Sequence, residues 1–180
     1  MIYYIADTHF WHSNIIRIND RPFSSIEEMN KTIIDNWNSR VTKNDIVYIV
    51  GDFGFKAQDE LVKIASILNG NKTLIEGNHD SKIVKNEQFR SKFSEICQMK
   101  IINDNGRTVH LCHYPIIEWY GYFRDAYLVY GHVHNNTTNK TFEIMKNEPR
   151  ALNAGVDITG FMPLTLDELI VANKVFNETH

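Results

Sequence analysis

Short apolar runs that break off into polar, metal-capable residues recur along this chain and set the order of its elements. Ile2 to Ala6 reads as a first strand, ending at Asp7-Thr8-His9. Phe10 to Asp20 is mixed, a loop with a short helical piece around Ile15 and Ile16. Ser25-Ile26-Glu27-Glu28 fits a capping box. The helix after it sets Met29, Ile33, Trp37 and Val41 on one stripe at four-residue spacing. Asp45 opens a second strand, Ile46 to Val50, which stops at Gly51-Asp52. Leu61, Ile64, Ala65 and Leu68 show the i, i+3, i+4, i+7 spacing of a helix, and Asn69-Gly70 gives it a stop. A third strand-like run, Thr73-Leu74-Ile75-Glu76, climbs to Gly77 and delivers Asn78-His79-Asp80 in succession. Ser81 to Phe93 is charged and expected to be partly helical.

Beyond Ile96 the rhythm changes. Ile96 to Ile102, Asp104-Asn105-Gly106 and Thr108 to Cys112 read as a hairpin around a short glycine turn. Pro115 closes its second strand just after His113. Ala126 to Tyr130 is another strand, ending in Gly131-His132-Val133-His134, and Asn135 to Lys140 is a polar turn. Phe142 to Met145 and Ala151 to Ala154 are expected to be two further strands. Thr165-Leu166-Asp167-Glu168 opens a last short helix with a second capping-box pattern. Strand–helix alternation early and hairpins late imply an α/β chain with a mixed sheet, or two packed sheets, and helices outside.

The 180 residues suit a single domain over 1–180 with a full core. Hydrophobic residues make up 43% and charged residues 23%, which separates the chain from disordered ones. The formal charge is -3 and no Lys/Arg cluster exceeds two residues. That argues against a dedicated nucleic-acid or membrane surface, though not against an enzyme meeting nucleic acid only at its active site. Met1-Ile2-Tyr3-Tyr4-Ile5 lacks a basic leader region, and no apolar run approaches the roughly 20 residues of a membrane span. Cys97 and Cys112 have neither zinc-site spacing nor a disulfide framework and read as two reduced thiols in or near strands. A cytoplasmic protein is expected.

Candidate chemistry lies where the strands stop: Asp7 and His9, Asp52, Asn78 and His79, His113, then His132 and His134. In open α/β sheets, sites form in the crevice beyond the carboxyl ends of the strands. Five of the eight histidines fall at these ends; His12, His110 and His180 do not. The set contains no thiolate, which disfavours a structural zinc site. Mixed imidazole, carboxylate and amide oxygen suits Mn, Fe or Zn. The candidates are too many for one ion and about enough for two that share a bridging carboxylate. Such a pair clamps the attacking and leaving oxygens of an in-line displacement, and its net positive charge suits a phosphate ester.

Asp7-x-His9, Gly51-Asp52, Gly77-Asn78-His79-Asp80, His113 and Gly131-His132-x-His134 resemble, in the same order, the motif series of the calcineurin-like metallophosphoesterase superfamily. Asn153-Ala154-Gly155-Val156-Asp157 and Pro163-Leu164-Thr165-Leu166-Asp167-Glu168 are similar to the tail of its small bacterial and phage members. The resemblance implies a four-layer α/β/β/α sandwich of two mixed β-sheets flanked by helices. It implies a first divalent ion on Asp7, His9 and His134, a second on Asn78, His113 and His132, and Asp52 bridging them. Manganese is the first expectation, with iron, zinc, nickel or cobalt as alternatives. His79 then faces the leaving-group oxygen as general acid, or steadies the phosphoryl group, with Asp80 orienting its ring. The second motif departs from the family: many members carry an acidic or basic residue three positions after its aspartate, where this chain has Phe55.

The implied activity is hydrolysis of a phosphodiester or phosphomonoester through a metal-bridging hydroxide, on a small phosphate ester or nucleotide. A nuclease acting on DNA or RNA ends is one alternative, disfavoured by the lack of a basic stripe. A non-catalytic scaffold on the same fold is another, disfavoured because every ligand position is filled. His12, Asn14, Arg17 and Arg21 follow the first metal motif closely and are candidate contacts to substrate phosphate. Trp119, Tyr120, Tyr122 and Phe123 read as loop packing under the site, with an aromatic rim for a nucleobase or lipid as the alternative. Asp157 is expected to tie the late loop to a neighbouring donor.

Overall fold

Alternation of side chains along the strands decides how the layers stack. The computed structural model describes all residues, 1–180. Strands β1 (Ile2–Ile5), β2 (Ile46–Val50), β3 (Asn71–Ile75) and β4 (Glu95–Cys97) form one sheet in that order, parallel throughout. Parallel neighbours need crossovers. These are supplied by α1 (Ser13–Ile18) with α2 (Ile26–Arg40), by α3 (Gln58–Ile67), and by a stretch carrying α4 (Glu87–Arg90). One antiparallel bridge, Tyr4 to Leu164, adds to the β1 edge. The second sheet is mixed: β5 (Met99–Asp104) runs antiparallel to β6 (Arg107–Cys112), while β7 (Tyr127–Tyr130) and β8 (Ala151–Asn153) continue parallel to it.

Tyr3, Ile5, Val47, Ile49 and Leu74 pack with Met29, Ile33 and Trp37 of α2 and Leu61 and Ile64 of α3. Their alternate neighbours Tyr4, Tyr48, Val50 and Ile75 pack against Val109, Leu111, Val129 and Leu152 of the second sheet. The outer side of that sheet buries Cys112, Leu128 and Tyr130 under Trp119 and Met145. Helix, sheet, sheet and a thinner outer cover make the four-layer sandwich that the resemblance implied. The outer cover is a loop and α5 (Lys140–Met145); α6 (Val156–Thr159) and α7 (Leu166–Thr179) follow β8, and Leu166 and Leu169 join the inter-sheet core.

Three local readings change. Ile96 to Ile102 is not one hairpin arm: Glu95–Cys97 pairs with β3 in the first sheet, and Met99 begins the second. Ile96 packs on the helix-side core and Ile102 on the inter-sheet core, and hydrophobicity carries no mark of that handover. Phe142 to Met145 is helical rather than a strand. The Asn139 side chain caps it by accepting from Phe142 N–H at 2.8 Å, and Phe142 and Met145 are buried at i, i+3. The last helix is not short but 14 residues long. The hairpin turn itself is as expected: Asn105 and Gly106 both take positive φ, 50° and 87°, the two-residue geometry that suits strand twist.

Candidate metal centre

The strand ends are bent into place by an unusual backbone. Asp7 (φ 56°), His9 (49°), Asp52 (54°), His132 (73°) and His134 (52°) all lie in the left-handed region. Each costs an L-residue roughly 1–2 kcal/mol, and residues so strained cluster where a site is built. The loops brace one another: Asp7 N–H donates to the Gly51 carbonyl at 3.0 Å, and His9 N–H to the Asp52 carbonyl at 3.0 Å. Gly51, at φ 89°, could bear no side chain, because a Cβ there would overlap the His113 ring. A Cβ on Gly77 would likewise overlap the Asp52 carboxylate.

Asp52 stands in the middle. Its Oδ2 is 3.6 Å from His9 Nε2, 3.5 Å from His113 Nε2 and 4.0 Å from His79 Nε2. Asp7, His9 and His134 gather on one side, with ligand atoms within 4.8 Å of one another; Asp52, His113 and His132 do the same on the other. Asn78 Oδ1 joins the second group, 3.2 Å from His113 Nε2 and 3.0 Å from His132 Nδ1. Asp7 also accepts the His132 backbone N–H at 3.0 Å, which ties the β1 and β7 loops together. Behind the ligand atoms, His113 Nδ1 donates to the Val50 carbonyl at 2.9 Å and His134 Nδ1 to Asp157 Oδ2 at 2.9 Å. Partners of this kind fix the tautomer and leave each Nε2 free to ligate.

The donor set asks for cations. His9 Nε2 is buried and has no hydrogen-bond partner, a state that costs about 1–3 kcal/mol unless something binds it. Burial holds the His9 imidazole well below its usual range, so it stays neutral, the form that binds metal. Burial opposes ionisation of Asp52, but the hydrogen bond and charge of His113 outweigh it and hold the carboxyl well below the usual range. Burial also opposes protonation of His113, yet its bond to Asp52 raises it to about 9. The carboxylates of Asp7, Asp52, Asp80 and Asp157 are all buried, with the single guanidinium of Arg21 bonded among them. An orphaned imidazole nitrogen facing the buried carboxylates of Asp7 and Asp52, with Asn78 Oδ1 and three more imidazoles converging on them, is a donor set that fits divalent cations.

Several expected roles move. Asp80 does not orient the His79 ring: its carboxylate accepts the N–H groups of Gly77 (2.8 Å), Asp52 (2.8 Å) and Phe53 (2.9 Å), pinning the third loop to the second. Burial pushes that carboxyl up to about 7 against those bonds. Arg21 is not a substrate contact. It is buried, pairs with both oxygens of Asp157 (2.8 and 3.0 Å) and donates to the Asp7 and Thr8 carbonyls. Asn14 and Arg17 are exposed on α1, and neither bonds to the ligand set. His12 does reach it, with Nδ1 3.4 Å from His9 Nδ1 and its ring 5.7 Å from that of His79. Asp157 finds its donors in His134 and Arg21. Trp119 packs under the second sheet as loop filling, while Tyr120 and Phe123 are exposed.

Two aromatic rings border the site: Phe55, which the departure in the second motif had marked, and Tyr114, which the sequence reading missed. The Phe55 ring lies 4.4 Å from that of His12 and 5.5 Å from that of His79. The half-exposed Tyr114 ring lies 4.7 Å from that of His132. For Tyr114 the signal was its place directly after His113.

The family model for the calcineurin-like phosphoesterase superfamily domain matches residues 1–157. The chain belongs to this superfamily. The match spans all seven candidate ligands and ends on Asp157, the carboxylate behind His134. An uncharacterised protein of Methanocaldococcus jannaschii is 35% identical over 171 residues, covering 94% of this chain and 89% of the relative. The gene 66 protein of Mycobacterium phage D29 is 25% identical over 185 residues, with 87% of each covered. Among solved structures, a protein of unknown function from Aquifex aeolicus superposes with a TM-score of 0.71 at 30% identity, over 93% of this chain and 96% of that one. A novel archaeal phosphodiesterase shares the fold, with a TM-score of 0.54 at 16% identity over 93% and 94%. Calcineurin-like phosphoesterases hydrolyse phosphoesters and generally use divalent metals. No helix of the chain is long and apolar enough to cross a membrane.

Proposed function

We propose that the protein is a dinuclear-metal phosphoesterase in which Asp7, His9 and His134 hold one divalent ion, Asn78, His113 and His132 hold the other, and Asp52 serves both. The observation that carries this reading is the position of Asp52 Oδ2, at 3.5 and 3.6 Å from Nε2 of His113 and His9, one imidazole from each group. Manganese suits the mixed imidazole, carboxylate and amide donors. Bound there, the ion pair supplies Lewis-acid charge to the phosphoryl group and lowers the pKa of water.

The chain supplies positioning and a proton. Val50 and Asp157 keep His113 and His134 facing inward through their Nδ1 atoms. His79 is the proton carrier. Its side chain is about one-third exposed, and its backbone N–H is anchored on Asp52 Oδ1 at 2.9 Å. In hydrolysis a water that has lost one proton to solvent forms the new P–O bond, the ester P–O bond breaks, and His79 gives its proton to the departing oxygen and is reprotonated from solvent. His79 also forms a trio with His9 and Asp52 that could hold a metal, so its role needs a direct test. His79→Ala is expected to bind two Mn per chain and to lose on the order of 10²–10⁴-fold in rate. A fall to one Mn per chain would make it a ligand instead.

The activity is tested with bis-nitrophenyl phosphate, nitrophenyl phosphate and cyclic and linear nucleotides, with and without Mn. Turnover that needs the ion is expected, and no turnover on any of them would defeat the proposal.

A further inference from the structure

Two cavities open onto the candidate centre, and they differ in chemistry. One, of about 470 Å³, is reached from the Asn78 and His79 side and is lined by Phe55, Lys56, Gln58, Ser81 and Lys82. The other, of about 650 Å³, is reached from the His132 and His134 side and is lined mainly by amides and hydroxyls such as Asn19, Asn135, Asn136 and Thr138, with one carboxylate, Asp20, and no cation. They share no lining residue. A phosphomonoester has one organic arm and needs one such space, whereas a diester has two.

The first cavity is the one beside His79, which gives its proton to the departing oxygen, so the leaving group belongs there. Its lysines are free. Like several other surface lysines, Lys56 and Lys82 have ammonium groups with no ion-pair or hydrogen-bond partner; what sets these two apart is that both are exposed and line the same cavity as His79. Lys56 sits at φ 62°, and its ammonium lies 4.9 Å from the centre of the Phe55 ring. Lys56, directly after Phe55, brings a cation to the cavity wall.

Resting on the phosphoesterase reading, we infer that the preferred substrate is a phosphodiester whose leaving group carries a second anionic group, held by Lys56 and Lys82 beside Phe55. The retained arm, a neutral polar group of sugar or nucleoside type, lies among the amides of the other cavity.

The test compares methyl 4-nitrophenyl phosphate with methyl 3-carboxy-4-nitrophenyl phosphate, which differ by one charge on the leaving group. The Mn-loaded wild type is expected to favour the carboxylate ester on the order of 3–10-fold in kcat/KM, the size of two exposed ion pairs. That ratio is expected to fall to about one in the double variant Lys56→Gln/Lys82→Gln, with thermal unfolding confirming that the variant is folded. Binding gives a second readout without turnover. The released phenol, 5-hydroxy-2-nitrobenzoate, titrated into metal-free wild type should shift the amide signals of Phe55, Lys56 and Lys82, and should not do so in the double variant. A ratio near one in the wild type, or a preference that survives both substitutions, overturns the inference. Failure of the wild type on both diesters while it turns over nitrophenyl phosphate also overturns the inference, whereas failure on all three would overturn the phosphoesterase reading beneath it.

Discussion

Asp157 shows how a residue can matter to a metal centre without touching it. It accepts from His134 Nδ1 and from two nitrogens of Arg21, and Arg21 in turn holds the Asp7 carbonyl. Asp157→Ala is expected to weaken Mn affinity about 10–100-fold, measured by competition with a chelator; unchanged affinity would show that His134 needs no such support. Asp80 is expected to behave differently. Asp80→Asn leaves one amide oxygen to serve three backbone N–H donors, and each unserved buried donor costs about 1–3 kcal/mol. That variant should lose melting temperature even when metal-free, and an unchanged metal-free melting curve would contradict the bracing role. The convergence of the candidate ligands was legible in the sequence because each stands where an apolar strand stops, while their division into two groups came from the resemblance. The partners of Asp80 and Arg21 were not, since a motif gives the order of residues but not which backbone donors or carboxylates a buried side chain meets.

Helix ends were the most readable elements. Thr165 and Glu168 make a full capping box, as the pattern predicts. Ser25 makes half of one: its hydroxyl accepts from Glu28 N–H at 3.1 Å, while the Glu28 carboxylate takes the N–H of Ser24 rather than that of Ser25. Thr165→Ala is expected to cost about 1 kcal/mol, seen as a lower urea midpoint with unchanged slope; no shift would mean that α7 is held by Leu166 and Leu169 alone. Elements failed where a short apolar run had to choose between partners. Phe142 to Met145 offers four residues, too few to separate periods of 2 and 3.6, and the capping side chain of Asn139 tips it to helix. The handover from Cys97 to Met99 is a tertiary choice between two sheets, each of which offers an open edge.

Across the whole molecule, the two sheets are joined by apolar packing and by buried polar links, of which the one far from the candidate centre is Tyr4 Oη donating to Asp104 Oδ2 at 2.9 Å. Burial, together with the charge of Asp104, pushes the Tyr4 phenol above its usual range. An unfolded tyrosine ionises near pH 10. The folded phenol keeps its proton there, so its contribution is full below that pH and is lost as pH rises beyond it. Between about pH 9.5 and 11 the wild type should therefore lose melting temperature more steeply than Tyr4→Phe; parallel profiles would remove this link from the balance. The residue pattern left one mixed sheet or two packed sheets open, the four layers came from the family resemblance, and the all-parallel pairing of the first sheet depended on where β4 docks. Both sheets deliver their carboxyl edges to one crevice, and everything proposed about function turns on Asp52 being shared there by two cations. Crystals grown with Mn and measured at its absorption edge test this directly. Two anomalous peaks about 3.5–4 Å apart, with the Asp52 carboxylate between them, are expected; a single peak, or two with Asp52 bound to neither, would contradict it.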